Sequence, residues 1–349
     1  MELDSTGCCC SIVPPYAYDE LSRSPVVAHR DTARRSAAIT ERLRGQRDVY
    51  SLLSAFAVVP GTRRRTIYDA RRTWMLPGTV VRGEDAPATG DAAADAVYDG
   101  SGSVWEFYKN VFNRDSLDDR GMRLDSTVHY GTGYANALWN GQQMVYGDGD
   151  GKVFGPFTAA LDVIGHEMTH GVTQNASGLA YHGEAGALNE HISDVFGSLI
   201  KQRSLSQSAA AADWLIGAGI LLLPAPAPPG AVARALRDMR NPGTAYAHLA
   251  IGSDPQPSNY GNLYTGSDDS GGVHINSGIP NKAFADYAVA VGGNAWDVPG
   301  RVWYRTATGM GLPSDATFVQ FRDLTLEAAQ LVAPTTVAAL QQAWNGVGL

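Results

Sequence analysis

In LDVIGHEMTHGV the apolar residues Leu161, Ile164, Met168 and Val172 recur at steps of three and four, the repeat of a helix buried along one stripe. The same periodicity predicts helices over 93–112, where Val104, Tyr108 and Phe112 fall in step, and over 187–203, 279–291, 316–332 and 335–344. Between about residues 66 and 157 the pattern is short and strand-like, broken by Gly, Asp and Asn, as in TWMLPGTVV, STVHYG and QQMVYGDGDGKVFGPF. The alternating Gly and Asp of 147–151 reads as a hairpin or bulge; it lacks the acidic residue that would close a twelve-residue calcium loop. The predicted class is α+β. A β-rich first domain, 51–175, ends in the 161–172 helix, a mainly helical second domain, 176–349, follows, and the cleft lies between them.

Residues 1–50 have a different pattern. CCCSIVPPYAYDELSRS leads into an arginine-rich stretch, 31–47, that reads as a helix, and the region has no apolar core of its own. The knot Ile12-Val13-Pro14-Pro15-Tyr16 speaks for docking on the rest of the chain: the prolines pre-set an extended backbone and the tyrosine supplies an anchor.

Composition narrows the classes. A net charge of −8 argues against nucleic acid as the main partner. The cysteines are confined to Cys8, Cys9 and Cys10, so no disulfide joins distant parts of the fold. There is no run of about 18 apolar residues that could span a membrane; the longest candidate, 216–232, is interrupted by Pro224, Pro226, Pro228 and Pro229. The amino terminus lacks the pattern of a secretory signal, so the expectation is a protein that is cytoplasmic as synthesised, with export by a route needing no such signal left open.

Residues four apart on a helix share a face, so His166 and His170 can present two imidazoles to one divalent ion. Glu167 comes next round the helix, where a carboxylate can take a proton from water activated by that ion. In GALNEHISDVFGSL, on what should be the next helix, Glu190 supplies a third ligand, and two histidines with one glutamate and an open fourth position make a catalytic zinc site. Asp194, one turn beyond, can take the second nitrogen of His166, and Asn189 that of His170, which fixes each tautomer. Related divalent ions accept the same ligands.

HEMTH, then GALNEHISD, then DDSGGVHINSGIPNKAF, in this order, resemble the thermolysin family of zinc metallopeptidases over roughly residues 60 to 349. The short leader with IVPPY resembles the protealysin-like branch, which carries a brief propeptide. The resemblance implies that His166, His170 and Glu190 hold zinc and that Glu167 activates the attacking water and passes its proton to the leaving amine. It further implies that Tyr181 and His274 donate to the oxyanion while Asp269 orients His274. Asn136 and the carbonyl of Ala137 would hold the substrate backbone, and Arg237 a carbonyl next to the scissile bond. Phe154, Phe157, Val163, Ile216 and Leu236 would line an apolar pocket, so that cleavage falls on the amino side of large hydrophobic residues. Such a pocket gains most by desolvating an apolar side chain.

The family builds a paired calcium site from clustered carboxylates. Here Asp162 and Asp213 remain, but the other matching positions carry Lys201, Leu215 and Ala218, too few oxygens for a hard cation. The expectation is no paired calcium site, with the ammonium of Lys201 neutralising Asp162 instead. The leader is expected to be an inhibitory propeptide cut between about 45 and 60. A thiolate of Cys8, Cys9 or Cys10 could fill the open zinc position in the latent form, or IVPPY alone could do the blocking. The Pro-rich segment 221–230 lies beside the Ile216 wall, with no effect on the pocket that can be read from sequence. Expected partners are a peptide or protein substrate, the propeptide, and, by resemblance, a small protein inhibitor. The competing reading is a non-catalytic or latent peptide-binding protein on the same scaffold; the presence of Glu167, Tyr181 and His274 favours the enzyme.

Overall fold

The computed structural model describes residues 11–51, 60–223 and 232–349. Its first elements are helices α1 (Pro15–Ser22) and α2 (Val27–Ser51). Pro14 is extended, as the sequence predicts, but Pro15 opens a helix rather than prolonging the extension; at a first helical position its missing N–H is no loss. The leader is no loose appendage. Ile12, Val13, Ala17, Tyr18, Leu21 and Ala33 are buried in the same core as the main body.

Strands β1 (Arg65–Asp69) and β2 (Thr79–Gly83), helix α3 (Ala92–Phe112), and strands β3 (Leu124–Val128), β4 (Ala137–Trp139) and β5 (Met144–Tyr146) form the amino-terminal half. The sheet order is β2-β1-β3-β5-β4, with β1, β3 and β5 parallel and β2 and β4 antiparallel to their neighbours. Of TWMLPGTVV only the last three residues enter a strand. Trp74 instead packs edge-on against Tyr130 and Tyr134. β4, which lies in YANALWNG and was not foreseen as a strand, is an edge, and an edge leaves backbone groups free to pair with an added chain.

Helices α4 (Leu161–Gln174) and α5 (Gly183–Ser204) run through the middle. α4 is buried from Asp162 to Thr173, and α5 over most of its length, so polar side chains on them must find partners inside the protein. The two helices cross backbone to backbone. A Cβ on Gly165 would stand 3.1 Å from Gly197 Cα, and one on Gly197 would stand 2.5 Å from the carbonyl oxygen of Asp162. Only glycine permits this approach, and it brings the polar side chains of both helices to one place.

Short strands follow: β6 (Leu215–Ile216), β7 (Val232–Ala233), β8 (Arg237–Asp238), β9 (Tyr246–His248) and β10 (Gly252–Ser253), with β6 paired to β8 and the order β10-β9-β7 in a second small sheet. Helices α6 (Asp268–Asn276), α7 (Gly278–Val291), α8 (Val298–Gly309), α9 (Phe318–Val332) and α10 (Val337–Gly346) complete the helical half. Periodicity had located α3 to α5, α7, α9 and α10 to within a few residues, and missed α6 and α8. α6 is not a simple helix, because Asp269, Ser270, Gly271 and Gly272 are all left-handed. Among the described residues no helix is long and apolar enough to cross a membrane.

Candidate active site

The crossing of α4 and α5 sets His166, His170 and Glu190 face to face. His166 Nε2 lies 3.0 Å from His170 Nε2 and 3.3 Å from Glu190 Oε2, and His170 Nε2 lies 3.5 Å from Glu190 Oε1. All three side chains are fully buried. Each imidazole is oriented from behind. His166 Nδ1 is 2.8 Å from Asp194 Oδ1, and His170 Nδ1 is 2.8 Å from Asn189 Oδ1. Asn189 is itself fixed, since its Nδ2 donates to the carbonyl of Leu179 at 3.1 Å. Acceptors at both Nδ1 atoms place the protons there, so the two Nε2 lone pairs point at one another. Lone pairs in that position repel unless a cation, a proton or a metal ion, lies between them.

Donors on a tetrahedron with arms of 2.0–2.1 Å are separated by about 3.4 Å, close to the observed spacing. The charges agree. Burial would by itself push His166 down, but hydrogen bonds and charge from Asp194 and Glu190 raise it to about 9. Burial would push Glu190 up, yet His274 and the two facing histidines hold it well below the carboxylate range. Glu190 Oε2 and Glu167 Oε1 are buried and accept no hydrogen bond of good geometry from the described residues. A cluster with this deficit of positive charge and these orphaned oxygens fits a divalent ion, and zinc suits two imidazoles and a carboxylate.

Glu167 is on the same helix beside the cluster. Trp139 N donates to its Oε2 at 3.1 Å, leaving Oε1 directed elsewhere, and burial with the charge of Glu190 outweighs His166 and raises the carboxyl to about 8. Opposite stand Tyr181, which donates to Glu190 Oε1, and His274, whose Nε2 is 3.2 Å from the Tyr181 hydroxyl. Asp269 holds His274 twice, accepting from its backbone N–H at 2.8 Å and lying 2.6 Å from its Nδ1. The left-handed turn 269–272 makes this double contact, at a cost of roughly 1–2 kcal/mol for each non-glycine residue in it.

Arg237 is also fully buried. Its Nε and Nη2 donate to the two oxygens of Asp194 at 2.8 and 2.7 Å, and its charge, against the burial that would raise it, holds Asp194 well below the carboxylate range. With the bond from His166 Nδ1, Asn281 adds a fourth hydrogen bond to Asp194, at 2.8 Å. Asn136 and Ala137 lie at and beside the start of β4, buried, next to the cluster. Phe154, Phe157, Val163, Ile216 and Leu236 are buried in one continuous core, with Ile216 paired to Arg237 across β6 and β8. Lys201 Nζ lies 2.9 Å from both Asp162 Oδ2 and Asp213 Oδ1 and donates to the carbonyl of Leu215 at 2.6 Å. Cys8, Cys9 and Cys10, and most of 221–230, lie outside the described residues.

Sequence reasoning overlooked three contributors: Ser193, whose hydroxyl is 3.0 Å from His170 Nδ1, Asn281 on Asp194, and the backbone of Trp139 on Glu167. Asn281 and Trp139 sit inside quoted motifs, PNKAF and NALWNG, and Ser193 stands one turn of helix after Asn189; the signal was adjacency to residues already singled out.

Two family models together cover most of this chain, from residue 43 on: the thermolysin metallopeptidase catalytic domain over residues 43–174 and the thermolysin metallopeptidase alpha-helical domain over 177–349. The chain is 43% identical over 345 residues to an extracellular metalloprotease of Pectobacterium carotovorum subsp. carotovorum, covering 97% of this chain and 96% of the relative. It is 40% identical to a thermolysin of Alicyclobacillus acidocaldarius subsp. acidocaldarius, over 81% of this chain and 50% of that one. Among solved structures, the precursor of protealysin, a metalloproteinase from Serratia proteamaculans, superposes with a TM-score of 0.87 at 43% identity, covering 97% of this chain and 99% of that one. The expectation of a cytoplasmic protein is overturned here. The Pectobacterium relative is named extracellular, which points to secretion.

Proposed function

The chain belongs to the thermolysin family of metallopeptidases, and from that premise we propose that it is a zinc endopeptidase made as a zymogen, cutting on the amino side of large hydrophobic residues. One observation carries the reading: the Nε2 atoms of His166 and His170 and the carboxylate of Glu190 converge, backed by Asp194 and Asn189, beside Glu167 Oε1, which has no hydrogen-bond partner among the described residues.

His166, His170 and Glu190 are the residues that would hold the ion, which when bound supplies Lewis acidity, acidifying water and polarising the peptide carbonyl. Asn136, the carbonyl of Ala137 and Arg237 grip the substrate backbone and set the scissile bond in place. Glu167 takes the proton of the attacking water and delivers it to the leaving amine; its raised pKa suits a group that must both accept and give a proton near neutrality. Tyr181 and His274 donate to the carbonyl oxygen as it gains charge, with Asp269 holding the imidazole. The apolar pocket of Phe154, Phe157, Val163, Ile216 and Leu236 takes the side chain after the scissile bond. Residues 1–50 are the propeptide and its own inhibitor, with the domain junctions at 51–175 and 176–349. Lys201 stands in the place of a structural cation, neutralising Asp162, so the fold requires no paired calcium site. A peptide or protein substrate and the propeptide are the partners; a small protein inhibitor is a further partner that the family suggests.

The test is activation of the zymogen followed by assay on casein or a furylacryloyl dipeptide, with Glu167→Ala as control. Activity at least 100-fold above the control is expected, in line with roughly 10²–10⁴-fold for a general base. A wild type no faster than Glu167→Ala would establish the non-catalytic peptide-binding reading instead.

A further inference from the structure

The leader lies across the site. Ser11 pairs antiparallel with Leu138 of the edge strand β4, and Ile12 N donates to the carbonyl of Ala137 at 3.2 Å. Val13 N donates to Asn136 Oδ1 at 3.0 Å, and the carbonyl of Ile12 accepts from Arg237 Nη1 at 3.2 Å. The carbonyl oxygen of Ser11 lies 2.9 Å from His274 Nε2. A carbonyl can only accept, so His274 donates here. Every group that the proposed function assigns to gripping a substrate backbone is therefore engaged, and one of its two oxyanion donors, His274, is engaged by one particular carbonyl, that of Ser11. This is strand addition to a sheet edge in a fixed register. The bond after that carbonyl is Ser11–Ile12, and the residue after the bond is apolar and fully buried in the core that contains the pocket residues.

We propose that Ser11–Ile12 is a scissile bond of this enzyme, cut by the chain in cis, and that the cut chain remains latent. The inference rests on the endopeptidase reading above and adds to it the register of the leader. Water adds to the Ser11 carbonyl carbon, Glu167 carries its two protons in turn to the Ile12 nitrogen, and the C–N bond breaks, leaving a carboxylate on Ser11 and an ammonium on Ile12; nothing is oxidised or reduced. Latency survives because the anchors downstream of the cut do not depend on Ser11. The Tyr18 hydroxyl donates to the carbonyl of Ala135 at 2.6 Å, Thr32 Oγ1 donates to Asp150 at 3.1 Å, and Ala135 N donates to Ser36 Oγ at 3.0 Å. Thr40 Oγ1 meets the Tyr134 hydroxyl at 3.0 Å, and Arg42 donates to the Tyr130 hydroxyl at 3.0 Å. The new amine is held over β4 by α1 and α2, so it keeps the cleft filled and stays in position to re-form the bond.

The experiment incubates the purified zinc-loaded full-length zymogen at neutral pH and follows intact mass and the amino-terminal sequence. The expected result is a chain beginning at Ile12, formed at a rate independent of protein concentration and absent in Glu167→Ala, with dipeptide hydrolysis still below one-tenth of the activated level. A second readout needs no turnover. In the zinc-loaded Glu167→Ala background, Ile12→Asp, and more mildly Ile12→Ala, should speed tryptic digestion of α2, for Asp by about tenfold or more, because opening no longer forfeits a buried apolar side chain. An activated enzyme that hydrolyses the dipeptide while the zymogen never yields an Ile12 terminus overturns the inference and leaves the endopeptidase reading intact. An activated enzyme that hydrolyses neither overturns both. Cleavage whose rate rises with concentration, full activity on cutting at Ile12, or unchanged tryptic protection in both Ile12 variants each overturns the proposal as well.

Discussion

Helices α4 and α5 cross at Gly165 and Gly197, and on either side of the crossing a buried acid faces the same problem. On one side Glu190 stands with His166 and His170; on the other Asp162 stands with Lys201. A carboxylate removed from water needs positive charge close by. At Asp162 the chain supplies it covalently. The Lys201 ammonium has three N–H groups, and it gives one each to Asp162, Asp213 and the carbonyl of Leu215, which leaves it no open position. At Glu190 the chain supplies two imidazoles and the Tyr181 hydroxyl, and Oε2 accepts no hydrogen bond of good geometry among the described residues, an arrangement that an exchangeable ion completes and a side chain does not. Chemistry belongs to the side where the cation arrives from outside with a place left for water and substrate. The Lys201 side can only hold the helices together.

The contrast is broken most directly at Glu190. Glu190→Ala should abolish zinc binding, read as metal per chain by mass spectrometry, and lower peptidase activity by about 10³-fold or more, since the ion's several kcal/mol of transition-state stabilisation is lost. One tightly held zinc per chain in that variant would end the assignment of Glu190 as a ligand. At the other end, Lys201→Met should leave zinc content unchanged and destabilise the fold by about 3–5 kcal/mol in urea unfolding, the effect of stranding a buried charge. Adding Asp162→Asn should recover most of that loss, because removing both members of a buried pair is often near neutral. Chelating calcium selectively, with zinc in place, should leave the wild-type Tm where it was; a drop of many degrees would mean that Lys201 is not the cation on which this side depends. The crossing couples the two ends. Gly197→Ala sets a Cβ against the carbonyl of Asp162, so α5 must move, with an expected cost of about 1–3 kcal/mol and zinc bound about 10–100-fold more weakly. A variant with weakened stability but untouched zinc affinity would show that the two sites are independent.

The same two helices show what the sequence carries and what it does not. Local period placed α4 and α5, and the meeting of His166 and His170 with Glu190, and of His166 with Asp194, was legible because a helix fixes the relative direction of its side chains. The Lys201 pairing was legible for a different reason: by resemblance, it stands where the family places a calcium ligand, beside the retained Asp162 and Asp213. The double use of Asp194, on His166 and on Arg237, was half legible, since Arg237 is far away in sequence and only β8 brings it back. The left-handed turn that aims Asp269 at His274 was not legible, because nothing in hydrophobic period reports a run of positive φ. The helix at Pro15 was missed because proline after proline reads as extended chain, although a first helical turn accepts it.

The smallest effect that sharpens the comparison is a dependence on pH. Burial would lower the Lys201 pKa, but the charges of Asp162 and Asp213 raise it above its ordinary 10.5. A cationic group with a raised folded pKa contributes stability that is complete below its unfolded pKa and is lost as pH climbs through the folded value. The stability difference between wild type and Lys201→Met should therefore be flat from neutral pH to about 10 and narrow above it. Asp162 acts with the same sign in the acid range: burial, only partly countered by Lys201, raises its pKa above 3.8, so its charged form is the costly one, and stability should fall slightly as pH rises through that acid window. Asp162→Asn should remove this acid-side slope and leave the alkaline one smaller. A Lys201→Met difference that already narrows between pH 7 and 9 would mean that the ammonium is not held by its two acids, and that the side of the crossing without exchange chemistry is also open to solvent.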